Sequence, residues 1–176
     1  IPMPKLRKML GSADHPTVQK LMRLIETQNK QTLAAWAVDY VAAHDLPILT
    51  AHGGDSAPFS QAIEGVRAHL AGRLPLKELK PLLKEASNAA RAETDPIAQA
   101  AARALSVACA VIQTPTNALG FSFYSTAANA YHQAGLTETA QTYDRLADAE
   151  FENILASLQA AAVPDEPNPV KIDWNC

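Results

Sequence analysis

The chain has 176 residues, which fits one domain better than two and is long enough to bury a core without disulfide staples. Alanine supplies 34 residues and aromatic residues only 6%, a composition that argues for closely packed helices and against a sheet. The formal net charge of −3 excludes a broad basic nucleic-acid footprint, and no run reaches the roughly 18 apolar residues of a membrane span.

The opening IPMPKLRKML is basic and lacks the apolar centre of a secretory signal; its start at Ile1, with Met3 close behind, reads as a truncated end. Seven helical segments then follow. The first begins near Asp14-His15-Pro16, with Asp14 as the cap residue and Val18, Leu21, Met22 and Ile25 on one face. The second carries Leu33, Trp36, Ala37, Tyr40 and Val41 as a stripe and should end before Asp45-Leu46-Pro47. Residues 47–55, PILTAHGGD, read as a loop with room for one helical turn, because Gly53-Gly54 breaks any longer helix. Ser56-Ala57-Pro58 opens a third helix with Ile63, Val66 and Leu70 inward. Pro75 opens a fourth, with Leu76, Leu79, Leu83, Ala86 and Ala90 pointing one way and Pro81 tolerated early in it.

Asp95-Pro96 opens a fifth helix, with Ile97, Ala101, Ala104, Leu105, Ala108 and Ile112 inward. Thr114-Pro115 leads into a sixth that is apolar nearly all round, so Ala118 to Ala130 should lie at the centre. Gly135 suits its C-terminal cap, and Thr137 should cap the seventh, whose inward residues are Ala140, Tyr143, Ala147, Ile154 and Leu158 or their immediate neighbours. After Ala162 the character changes: Pro164, Pro167 and Pro169 forbid a helix, and Val170, Ile172 and Trp174 then alternate with polar residues at a period of two. The expected architecture is all-α. It comprises a compact bundle of about seven helices over residues 1–162 and an extended, proline-rich C-terminal tail, 163–176, packed on it.

Chemistry-bearing residues are sparse. The histidines at 15, 44, 52, 69 and 132 stand singly, without the paired spacing a zinc site needs, and no glycine-rich phosphate loop or nucleophile elbow is present. No cofactor or metal is therefore expected. Cys109, in the apolar run VACAVI, reads as a buried thiol, and Cys176 as a loose end. His52-Gly53-Gly54-Asp55 is the best catalytic suspect, since His beside Asp suits acid–base work, but the same residues suit an ordinary interhelical turn. Asp39, between Trp36 and Tyr40, reads as an exposed neighbour of two core residues, and Phe121, Phe123 and Tyr124 as core. Charge is uneven: 13 basic and 10 acidic side chains precede residue 136, whereas eight acidic face two basic ones after it, a net of −6.

The strings TPTNALGF (114–121) and VPDEPNPVKIDWNC (163–176), together with TLAAWAVDYVAAHDLPIL and LPLKELKPLLKEA, resemble a bacterial family of putative immunity proteins from polymorphic-toxin systems. The resemblance covers about Gln28 to Cys176. It implies an all-helical cytoplasmic protein that binds and neutralises a cognate toxin protein without catalysis, and no nucleic acid or membrane. Joined to the acidic balance, it makes Glu150, Glu152, Asp165, Glu166 and Trp174 the candidate partner-binding residues, with the loop of His52 and Asp55 as the alternative. The competing readings are a small-molecule-binding helical protein or enzyme with a pocket beside helix six, and a homodimer formed through the tail.

Overall fold

The structure, a computed structural model, describes residues 5–175. Seven α-helices form, with no strand among the described residues: α1 (Pro16–Ile25), α2 (Lys30–Ala51), α3 (Ala57–Leu70), α4 (Leu76–Ala92), α5 (Pro96–Cys109), α6 (Asn117–Ala134) and α7 (Ala140–Ala161). A single 3₁₀ turn, Ala110–Ile112, extends α5.

Two helices start where a proline forces the preceding residue into an extended conformation, which is also the conformation of an N-cap. Asp95, before Pro96, accepts from the backbone N–H groups of Ile97 at 3.1 Å and Ala98 at 2.9 Å. His15, before Pro16, accepts from Thr17 N–H through Nδ1 at 3.2 Å, so His15 and not Asp14 is the cap of α1. At α7 the cap is Thr139, not Thr137. The Tyr143 hydroxyl explains the shift: it accepts from Glu138 N–H at 3.1 Å and donates to Gly135 O at 2.5 Å, fixing the turn beyond Thr137. Gly135 itself has φ of 80°, the left-handed region that glycine enters without steric cost.

The expected end of α2 at Asp45 is wrong. The helix runs through Pro47 to Ala51, so the single turn allowed within residues 47–55 is the last turn of α2 itself. Proline removes one N–H and crowds the carbonyl of Ala43, but both Pro47 and Ala43 face solvent, where water replaces the lost bond. Ile48 and Leu49 on the opposite side are buried, and that packing outweighs local propensity. Leu76 also departs from expectation. It is 39% exposed at the first position of α4, and the contact is carried instead by Leu79, Leu83, Ala86 and Ala90.

α5 and α6 pack most extensively against each other, and α2 lies against both. α3 and α4 cover α5, while α7 and α1 cover α6. No residue from Ala118 to Ala130 is exposed, so α6 is central as its all-round apolar character required. Trp36 meets Phe121 edge to face at 5.1 Å, locking α2 to α6. Before α1, the segment from Lys5 lies along α6: Leu10 N–H donates to Phe123 O at 3.0 Å, and Thr126 Oγ1 donates to Leu10 O at 3.0 Å.

Candidate functional site

The acidic residues singled out from sequence divide into three environments. Glu150, on the inner face of α7, is buried and 8% exposed; it is not a surface residue, which removes it from any partner-facing set. It is bonded by the Tyr40 hydroxyl and accepts from Asn129 Nδ2 at 3.0 Å. The −6 balance misleads here because net charge carries no information on which face of a helix a carboxylate occupies. Glu152 is exposed and accepts from Thr17 Oγ1 at 2.6 Å, and Asp165 is exposed. Glu166 is half-buried, accepting from Asn29 Nδ2 at 3.0 Å.

Around Glu150 lies a polar system that sequence reading missed. Asp45 on α2 is fully buried and accepts from Ser125 Oγ of α6 at 2.9 Å, while its Oδ1 has no partner. Burial, reinforced by the nearby negative charge of Glu150 and opposed by the Ser125 hydrogen bond, pushes the Asp45 carboxyl up to about 8. Burial and then the bond to Glu150 push the Tyr40 hydroxyl far above its ordinary value. The ring of Tyr40 stacks on His44 with centroids 4.3 Å apart. The network joins α2, α6 and α7. A signal existed: Ser125 and Asn129, one turn apart in a buried helix, each need a partner.

His52 and Asp55 do not form an acid–base pair. His52 Nε2 lies 2.9 Å from His132 Nδ1, across the C-terminal ends of α2 and α6, and Asp55 Oδ1 accepts from Ala57 N–H at 3.0 Å to begin α3. Asp39 is exposed and pairs with Arg67 at 2.9 Å. Cys109 is fully buried and its thiol is pushed up to about 12 by burial, which makes it inert as a nucleophile. Cys176 lies outside the described residues. Among the described residues no group of three or more His, Cys, Asp or Glu is placed to hold a metal ion, and no helix is long and apolar enough to cross a membrane.

The C-terminal residues 163–175 form neither helix nor strand, yet they are tied to the α1–α2 connection. Gln28, 2% exposed, is the main tie. Its side chain accepts from Val163 N–H at 2.7 Å and donates to Val163 O at 3.1 Å, and its backbone carbonyl accepts from Val170 N–H at 2.8 Å. Trp174 Nε1 donates to Glu26 Oε1 at 2.5 Å. Val170, Ile172 and Trp174 are half-buried against the core while Lys171, Asp173 and Asn175 are exposed, as a period of two requires. Gln28→Ala strands both Val163 backbone groups and should cost about 1–2 kcal/mol. It should also open the peptide bond after Lys171 to trypsin. Unchanged melting and unchanged cleavage would show that the tail does not depend on this residue.

The sequence model of a family described as Imm-5 like putative immunity protein matches residues 23–156. The match covers most of the chain, and the chain belongs to that family. No curated protein and no solved structure matches it.

Proposed function

We propose that, as a member of this immunity-protein family, the chain acts in the cytoplasm by binding a cognate toxin domain and blocking it without catalysis. Family membership is the observation that carries this reading. The partner surface we assign is the outer face of α7 with the C-terminal tail, where Glu152, Asp165 and Asp173 are exposed, Glu166 is half-buried, and Trp174 is partly open beside them. Part of the acidic excess is neutralised within the chain, since Asp144 pairs with Arg7 at 2.8 Å. The remaining carboxylates suit a basic partner, and opposite charge raises association rate and selectivity more than affinity.

The test is co-expression with the product of the neighbouring gene, followed by association kinetics across a salt series. Glu152→Gln, Asp165→Asn and Asp173→Asn combined should slow association at low salt by about tenfold and remove most of its salt dependence. Asparagine is the substitution of choice at position 165, where φ is 55° and asparagine is among the residues that tolerate that region. Glu150→Gln should change stability and leave the association rate alone. Binding indifferent to salt and to the triple change would move the interface elsewhere on the molecule.

A further inference from the structure

We propose that the end of α2 is a proton-operated latch: the His52–His132 bond holds it closed on α6, and protonation of both rings releases it. The seam between the two helices sets the geometry. Asp45 of α2 meets Ser125 of α6, and further along both helices His52 meets His132. The two helices therefore run the same way along this seam, with their C-terminal ends side by side. His52 Nε2 lies 2.9 Å from His132 Nδ1, and the ring centroids are 5.2 Å apart. The centroid separation is the nitrogen separation extended by one ring radius at either side, so both nitrogens lie on the line of centroids. Each nitrogen points at the other, as in a linear N–H···N bond where one ring donates and the other accepts. Two neutral rings meet that requirement, and so does a pair sharing one added proton. Two imidazolium rings do not, because both nitrogens then carry hydrogens and like charges face each other.

The surroundings supply no counter-charge that would hold a doubly protonated pair together. Among the described residues no carboxylate oxygen lies within 4.0 Å of a nitrogen of either ring. The acidic groups of the elements that meet here are engaged elsewhere: Asp45 by Ser125, Glu150 of α7 by Tyr40 and Asn129, and Asp55 of the α2–α3 connection by Ala57 N–H. Glu138, in the α6–α7 connection, makes no ion pair with either ring, and His44 is stacked on Tyr40. The two helix ends carry partial negative charge, which admits cationic rings but belongs to each helix and does not bridge them. The latched segment is weakly held in other respects. Pro47 has no N–H, so the last turn of α2 is joined to the rest of the helix by one backbone bond fewer. Beyond it, His52 N–H donates to Ile48 O at 3.2 Å and Gly54 N–H to Leu49 O at 2.9 Å. Gly54 is backed so closely on the Leu49 side chain that a Cβ there would lie 2.2 Å from Leu49 Cδ1. Release of the latch therefore uncovers Leu49, which is fully buried when it is closed.

Amide hydrogen exchange of the whole chain, expressed as protection relative to the unstructured rate at each pH, tests the latch. Between about pH 7.5 and about pH 5, the interval in which imidazoles take up protons, the His52 and Gly54 amides should lose about tenfold in protection. The amides of Leu33 to Val41, in the first half of α2, should keep theirs. His132→Asn puts a neutral amide where Nδ1 stood, and its oxygen can accept from a protonated His52, so this variant should show the same protection at both pH values. His52→Ala removes the bond and should show low protection at both. Protonation of Asp45 over the same interval favours the folded chain, so it cannot produce a loss on acidification. Equal wild-type protection at the two pH values would overturn the latch. So would a loss shared by Leu33 to Val41, or an acid loss that persists in His132→Asn.

Discussion

Replacing Asp45 by asparagine should flatten the pH dependence of folding stability and leave the protein more stable at pH 8. Asp45 is fully buried with one oxygen unpartnered, and its carboxyl is raised from the ordinary 3.8 to about 8. The folded chain therefore holds this proton across a range in which the unfolded chain has released it. Because the folded state binds more protons between those two values, stability falls as pH rises through that window and levels off above it. One proton contributes a slope of at most about 1.4 kcal/mol per pH unit. Wild-type protein should then lose roughly 2–4 kcal/mol between about pH 5 and pH 8, a discount on the full slope for local relaxation around a buried charge. The asparagine side chain in the Asp45→Asn variant keeps an amide for Ser125 and cannot ionise. Urea unfolding of both proteins at several pH values decides the matter: parallel curves would mean that Asp45 is ionised in the folded state or that another group governs the slope.

Ala104→Leu and Ala108→Leu should each destabilise the fold by roughly 1–3 kcal/mol. Both alanines are 0% exposed, and both lie on α5, whose largest contact is with α6. Interiors are packed at crystal-like density, so a leucine there has no void to enter and must force the two helices apart or take a strained rotamer. Small buried residues on both helices, among them Ala101, Ala104 and Ala108 on α5 and Ser122 and Ser125 on α6, permit a close approach of the axes, and that approach is what leucine would remove. Thermal melting reads the effect. Unaltered melting in both variants would show that the α5–α6 contact yields at little cost.

Several features are legible without any coordinates. Helix number, the centrality of α6 and the buried stripe of α2 follow from a rule that needs no neighbour: a helix face that is apolar must be covered, and one apolar all round must be covered on every side. The α5 cap is equally local, since Asp95 before Pro96 sets both the extended backbone and the acceptor. Family membership is legible in particular strings, above all TPTNALGF at 114–121, part of the matched span.

Whatever depends on a partner distant in sequence is not legible in this way. Pro47 reads as a helix stop because its local penalty is real, and only the burial of Ile48 and Leu49 reverses the outcome. Glu150 reads as a surface charge because periodicity places it within one position of the buried face of α7 without choosing a side. Its side is chosen by Tyr40, 110 residues away, and Asn129, 21 residues away. Gln28 looks like any polar residue between two helices until its carboxamide meets the backbone of Val163.

Sequence by itself determined the number and order of the helices, most of their inward residues and the family, because those follow from side-chain periodicity, local backbone restriction and particular strings. Only the tertiary structure decided which polar groups are buried together: the Asp45–Ser125 and Tyr40–Glu150–Asn129 bonds, the unpartnered Arg103 Nε, and the His52–His132 contact. A polar group's energy depends on whether water or a specific partner satisfies it, and that partner comes from another helix whose position no local pattern fixes.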